Sequence, residues 1–285
     1  MSGTELRPVE AVIIEQTVYE LFLEANVKLP KDVREALGKA KADESSQLCR
    51  GILGKLEENA DYAEKSGLPI CQDTGMAIVF VELGQDVHII GGKLSDAINK
   101  GVSRAYNDGY FRKSVVSHPL IRKNSGDNTP AIIHTNIVDG NGIKITVSPK
   151  GFGSENMSAI KMFNPSASLD DIAKFAADTA LIAGGNPCPP IIVGVGVGGS
   201  FEYCAYLAKK ALLRKVGDYN SDDLYAELER KILTAVNSTG VGVQGLGGTN
   251  TALWAAVEGY ATHIAGLPVA VNISCHVTRH AEKTI

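Results

Sequence analysis

The chain has 285 residues, of which 44% are hydrophobic and 21% charged, with a formal net charge of −4. That length can bury a sizeable core and the composition is that of a globular protein. The acidic balance argues against a nucleic-acid binder, whose footprint is a basic excess, and no apolar run approaches the roughly 18–20 residues of a membrane span. The opening "MSGTELRPVEAV" has neither the basic and apolar regions of a signal peptide nor an Arg-rich transit character, so a cytoplasmic location is expected. Five cysteines at wide spacing make a poor disulfide framework, and a reducing compartment would leave them free.

The first part of the chain, to about residue 67, reads as successive helices. "VEAVIIEQTVYELFLEANVKL" is apolar at helical spacing, and "PKDVREALGKAKA" begins with a proline suited to a first turn. "SSQLCRGILGKLEENADYAEKSG" opens on a serine cap and closes on Gly67. From Cys71 strands take over with "MAIVFVELG" and "VHIIGG", followed by a helix through "LSDAINKGVSRAYNDGY". "PAIIHTNIVDGNGIKITVSP" reads as a hairpin about its Asp-Gly-Asn-Gly turn. Ser168 and Asp171 have the spacing of a capping box for the next helix. A buried strand, "PIIVGVGVGG", then leads into the helix "SFEYCAYLAKKALLRK", with a second helix from Ser221 through Val236. The glycine-rich "NSTGVGVQGLGGTNT" reads as a loop near a site, "ALWAAVEGYATHIAG" as a last helix and "PVAVNISC" as a strand. This order predicts one α+β domain over 1–285, with mainly antiparallel and mixed sheets surrounded by helices.

The cysteines divide into two kinds. Cys49 and Cys204 share helix faces with apolar residues and read as core. Cys71, Cys188 and Cys275 each stand where an element ends, positions at which loops hold functional groups. Spacing alone favours unrelated free thiols, and the alternative is a metal site in which the fold assembles three thiolates from distant positions. A structural zinc site would usually include a close C-x-x-C pair, which is absent. An electron-transfer cluster usually takes four cysteines, so three would leave one iron open as a Lewis acid.

"GVGVGG" satisfies the dinucleotide fingerprint at Gly194. The segment after its helix reads as another helix and not as the returning strand a Rossmann unit needs, so NAD binding is a weak alternative and close helix–sheet packing explains the glycines equally well. His276 and His280 stand at i, i+4, a spacing that suits a metal pair on a helix but more simply a structural role, and His134 reads as an ordinary strand residue. Arg112, Lys113, Arg122 and Lys123 crowd one loop-like segment, which reads equally as a solvated basic patch or as an anion site, since guanidinium is the bidentate partner of carboxylate. Gly151 and Gly153 precede an expected helix start at Ser154, where backbone N–H groups can hold an anion.

Taken together, "CQDTGM", "FRKSVV", "RKNSGDNTPA", "PKGFGSENMSA", "NPCPPIIVGVGVGGSFE", "GLGGTNTAL" and "SCHVTRHA" resemble the class I, iron–sulfur-dependent fumarate hydratases, over roughly residues 10–280. The likeness is to the separate alpha subunit of the two-subunit form, and the alpha subunit of L(+)-tartrate dehydratase is similar to the same family. The resemblance implies a 4Fe–4S cluster ligated by Cys71, Cys188 and Cys275, with one iron lacking a cysteine ligand. It likewise implies dicarboxylate contacts from Gln72, Asp73, Arg112 and the backbone at Gly153, with Asp73 as an acid/base group. The family's remaining substrate contacts lie in a C-terminal domain beyond the end of this chain. A beta subunit is therefore expected to complete the site, in a dimer of alpha–beta heterodimers. The activity implied is reversible hydration of fumarate to L-malate, with tartrate dehydration as the alternative. An NAD-dependent oxidoreductase and a non-catalytic scaffold are rivals of other classes.

Overall fold

The computed structural model describes residues 6–285. In chain order the first elements are β1 (Arg7–Glu10), α1 (Ala11–Val27), α2 (Lys31–Asp43), α3 (Gln47–Ser66), β2 (Met76–Gly84), β3 (Val87–Ile90) and α4 (Leu94–Asp108). They are followed by β4 (Ile132–Val138), β5 (Ile143–Lys150), α5 (Phe152–Glu155), β6 (Ala159–Phe163) and α6 (Leu169–Ala183). The rest are β7 (Ile191–Gly198), α7 (Phe201–Ala211), α8 (Asp223–Asn237), β8 (Ala252–Tyr260), β9 (Leu267–Ser274) and β10 (Ala281–Thr284). Helices over mixed sheets make this an α+β chain. Among the described residues no helix is long and apolar enough to cross a membrane.

The chain divides into two compact units. One comprises the chain up to Leu29, Ala60–Gly151 and Arg279–Ile285; the other comprises Pro30–Asn59 and Phe152–Thr278.

In the first unit a four-stranded sheet runs β10-β5-β2-β4 and a two-stranded parallel sheet pairs β1 with β3. α1 buries Ile14, Val18, Leu21, Phe22 and Ala25, one stripe at helical spacing. That stripe joins Val79, Val81, Ile143, Ile145 and Val147 of the sheet in a single core. Full burial of each such aliphatic side chain stabilises by about 1.5–3 kcal/mol. α1 and α4 approach so closely that a Cβ on Gly101 would lie 2.6 Å from the Glu15 carbonyl.

The Asp-Gly-Asn-Gly segment does reverse the chain, but β4 and β5 form no hairpin. Both pair with β2, which lies between them, β4 in parallel and β5 antiparallel. The turn wraps the end of β2 instead: Gly84, Gln85 and Asp86 donate their backbone N–H groups to Gly142, Val138 and Gly140. A local turn signal cannot report which strand fills the gap between its arms.

In the second unit the sheet runs β6-β9-β7-β8, and α6 and α8 contribute Ala176, Ala180, Leu228, Ile232 and Val236 to its core. Ser168 and Asp171 form the expected capping box of α6. The run 252–260, which reads as a helix in the sequence, is the edge strand β8, parallel to β7. Its outward backbone groups are taken by side chains from α8 and the connection before it. Asn237 bonds both the N–H and the C=O of Ala252, Glu229 accepts from Val257 N at 2.8 Å, and Asn220 donates to Val257 O at 2.8 Å. Those tertiary bonds outweigh the helix preference of an alanine-rich segment.

Candidate active site

The first unit carries Cys71, Gln72, Asp73 and Arg112, and the second carries Gly153, Cys188 and Cys275. Each group is built differently.

In the first unit, Cys71–Gly75 forms the turn entering β2. Asp73 folds back so that its Oδ1 accepts from Gly75 N at 3.0 Å, an Asx turn that uses the side chain to close the backbone. Gly75 has φ of +76°, and a Cβ there would stand 2.7 Å from the backbone of Lys150, so this position admits only glycine. A Cβ on Gly151 would stand 3.3 Å from Asp73 Oδ2, so the glycine leaves space beside that oxygen.

The Thr74 hydroxyl donates to the Arg112 carbonyl at 2.8 Å, which ties the acidic turn to the cationic residue. Gln72 and Arg112 are exposed, while Asp73 is half-buried. Lys113, Arg122 and Lys123 belong to a loop that folds on itself. Ser117 donates to the Lys123 carbonyl, Asn124 to that of Lys113, and Val116 bridges Asn124. Arg122 and Lys123 are exposed on it.

Three buried side chains hold the turn from beneath, and none of them stood out in the sequence. Tyr106 Oη donates to the carbonyls of Thr74 (2.6 Å) and Gly75 (3.1 Å). Asn128 Nδ2 donates to Gly75 O at 3.1 Å, while its Oδ1 accepts from the backbone of Ser114 and Val115. Arg279 Nη2 donates to the Asp73 carbonyl. Burial pushes the Tyr106 phenol far above its ordinary value, outweighing the opposing pull of Arg279, so it remains a protonated donor. Asn128 and Arg279 lie inside the quoted "RKNSGDNTPA" and "SCHVTRHA", but only the fold reveals what they grip.

In the second unit, Cys188 is exposed and Cys275 half-buried. His276, the neighbour of Cys275, donates its backbone N–H to the Cys188 carbonyl at 3.4 Å, and its Nδ1 lies 2.9 Å from the same oxygen. The two cysteine-bearing chain ends are thus fastened together. That geometry makes Nδ1 the protonated ring nitrogen, and Gln244 Nε2 then directs its hydrogen bond to Pro189 O at 2.6 Å. Cys188 and Gln244 both adopt left-handed backbone conformations, φ +55° and +53°, which are costly for non-glycine residues and concentrate at functional sites. Gly153 sits in the single turn of α5, so the helix expected from Ser154 does not develop. A Cβ on Gly153 would stand 3.5 Å from the Asn186 carbonyl, just ahead of Cys188.

The glycine-rich loop at 240–250 supports this group. Gly242 (φ +67°) lies so close to Gly247 that a Cβ would stand 1.6 Å from its carbonyl oxygen. Cys49, fully buried, donates its thiol to that same carbonyl at 3.1 Å. Glu44, also buried, accepts from Thr249 N, Asn250 Nδ2 and Ser46 N. Burial alone would push Glu44 up, but hydrogen bonds from Asn250, Ser46 and Thr249 outweigh it and hold the carboxyl below its ordinary value. Cys204 is fully buried and its thiol is pushed up by that burial. Cys49 and Cys204 are therefore packing residues, as their sequence context indicates.

"GVGVGG" has a packing role too. A Cβ on Gly194 would meet the Ala208 carbonyl at 2.2 Å, and one on Gly196 the Cys204 carbonyl at 2.0 Å. A second parallel strand, β8, does follow the two helices, contrary to the sequence reading. Its acidic residue Glu258 faces Arg214 at 3.7 Å, and the glycines are accounted for by the press of α7 on the sheet. Residues 275–280 are not helical, so His276 and His280 do not share a helix face. His134 lies on β4 with its ring 5.0 Å from that of Phe80.

Among the described residues no group of three or more His, Cys, Asp and Glu side chains is gathered to hold a metal ion. The donor chemistry still fits thiolate ligation: the three cysteines at element ends are accessible to different degrees, while the other two are sealed in the core.

The turn thus carries a thiol, an amide and a carboxylate in succession and is tied to the backbone of an arginine. The family model "Fumarate hydratase (Fumerase)" matches residues 15–284. The chain is 43% identical over 278 residues to the putative L(+)-tartrate dehydratase subunit alpha of Methanocaldococcus jannaschii, covering 95% of this chain and 97% of that one. It is 30% identical over 257 residues to the L(+)-tartrate dehydratase subunit alpha of Escherichia coli (strain K12), covering 89% and 84%. The chain belongs to the Fumerase family of hydro-lyases.

Proposed function

We propose that this chain is the alpha subunit of an iron–sulfur hydro-lyase that reversibly hydrates fumarate to L-malate, working with a beta subunit that completes the active site. Cys71, Cys188 and Cys275 are the proposed ligands of a 4Fe–4S cluster with one iron left open. When bound, the cluster supplies a Lewis acid for a hydroxyl that is otherwise a poor leaving group. The observation that carries the reading is the hydrogen bond from the Thr74 hydroxyl to the Arg112 backbone carbonyl, because it joins the backbone of Arg112 to the turn that bears Cys71 and Asp73.

In this reading Arg112 binds a substrate carboxylate as a bidentate cation and stabilises the charge that builds up there as the C3 proton leaves. Gln72 and the backbone at Gly153 orient the dicarboxylate. Asp73 holds or moves a proton at the hydroxyl oxygen, with its oxygen beside Gly151 facing the substrate. The working assembly is a dimer of alpha–beta heterodimers, and a reducing compartment such as the cytoplasm suits five free thiols.

The tartrate dehydratase relatives support a second reading, dehydration of L(+)-tartrate. The test is coexpression with a beta subunit, followed by anaerobic assays with fumarate, L-malate and L(+)-tartrate. Hydration of fumarate with no turnover of tartrate supports the first reading. The opposite result moves the assignment to tartrate, and inertness toward all three sinks both.

A further inference from the structure

Arg279 is 3% exposed, and its contacts are unusual for a buried guanidinium. Its Nε donates to the Pro149 carbonyl at 3.3 Å and its Nη2 to the Asp73 carbonyl, while its buried Nη1 has no hydrogen-bond partner among the described residues. Taking a guanidinium out of water is costly, and proteins normally offset that with a carboxylate. Here the planar fork is directed at two backbone carbonyls. An apolar side chain of similar volume would serve packing at least as well, so stability alone does not account for the residue.

The two carbonyls explain the choice. Asp73 follows Gln72 in the turn, and Pro149 precedes Gly151, the glycine that leaves space beside Asp73 Oδ2. Arg279 therefore spans the two backbone segments that border the Asp73 carboxylate. It belongs to a series, since the carbonyls of residues 73, 74 and 75 each accept from a buried side chain, Arg279, Tyr106, and Tyr106 with Asn128 respectively. Thr74 then passes the arrangement to Arg112.

We propose that Arg279 is a positioning residue of the dicarboxylate site, gripping the Asp73 carbonyl so that the Asp73 carboxylate and Arg112 are presented in one fixed arrangement. This rests on the reading of Gln72, Asp73 and Arg112 as substrate contacts. Misplacing catalytic groups by about 1 Å can cost on the order of 10²-fold in rate, so the effect falls on turnover and not only on folding.

The test compares Arg279→Met and Arg279→Lys with Val102→Ala, a core change in α4 of the same unit, in two experiments. Hydrogen exchange on the full chain is expected to show faster exchange in Arg279→Met concentrated at residues 72–76, with Arg279→Lys intermediate because it can serve one carbonyl. Val102→Ala should spread its effect over the unit core. With the partner subunit bound and rates expressed per loaded cluster, Arg279→Met should lose about 10²-fold in kcat/KM, whereas Val102→Ala keeps the wild-type value whatever its Tm. Unchanged exchange at 72–76, or an effect as diffuse as that of Val102→Ala, overturns the proposal. If Arg279→Met does not fold, Arg279→Lys decides it by the same local-against-diffuse criterion. A wild-type complex inert toward dicarboxylates would overturn the substrate reading, and the exchange result would still decide whether Arg279 holds the turn.

Discussion

The turn after Cys71 and the loop bearing Cys188 reach a fixed shape by opposite means. The first is gripped by side chains: a phenol, an amide and a guanidinium, all buried, take three consecutive carbonyls. The second is wedged mainly by backbone against backbone, with Gly185 packed on Gln244 and Gly245, and Gly242 pressed on Gly247. Under the proposed function the turn would present polar side chains to a substrate, which needs its peptide groups oriented, and buried hydrogen bonds do that with directional precision. Under the proposed function the Cys188 loop would hold a thiol against a bulky inorganic group, which needs mainly to be kept in place, and close packing of small residues achieves that.

The contrast predicts different kinds of damage. The largest effect is expected where backbone meets backbone. Gly196→Val would drive a side chain into the Cys204 carbonyl, costing on the order of 3–5 kcal/mol and abolishing folding of the second unit. Soluble yield and the midpoint of urea unfolding would check it.

Next comes Tyr106→Phe, which keeps the ring and leaves the Thr74 carbonyl unpaired, at a cost of about 1–3 kcal/mol. Because burial raises the phenol above its ordinary 10.0, its contribution is present below pH 10 and is lost as pH climbs further. Wild type should therefore lose stability in strong alkali more steeply than the Phe variant, and denaturant curves against pH would show it.

The smallest effect probes the exception to the contrast, the buried carboxylate of Glu44 in the second unit. Glu44→Gln should cost about 1–2 kcal/mol at neutral pH. The folded value is depressed below the ordinary 4.5, so its stabilisation is present above pH 4.5 and lost as pH falls through the folded value. The gap between wild type and variant should narrow on acidification, and identical gaps at pH 7 and pH 3.5 would contradict this account of the loop.

Much of the architecture was legible from periodicity and caps. α1, α3 and α6 follow their apolar stripes and serine caps, and the split between accessible and core cysteines follows from their neighbours. β8 was hidden because the side chains that secure its edge, Asn237, Glu229 and Asn220, come from outside the segment itself. The supposed hairpin failed because β2, some fifty residues earlier in the chain, fills its centre. Among the candidate site residues, Cys71 stands out for its place at the end of an element and Arg112 as one of four clustered cations, while Asp73 is named only through the family resemblance. Tyr106, Asn128 and Arg279 are ordinary residue types whose importance is the carbonyl each one reaches, and only the fold specifies that.

The central claim is that Cys71, Cys188 and Cys275 are ligands and Cys49 and Cys204 are not. It is tested most directly by iron and acid-labile sulfide content, with the visible spectrum, after anaerobic reconstitution of the wild type and of the five Cys→Ser variants, each with its partner subunit present. The account predicts a cubane cluster in the wild type, Cys49→Ser and Cys204→Ser, and its loss in each of the other three. A wild type that takes up no cluster, or three variants that retain it, would contradict it.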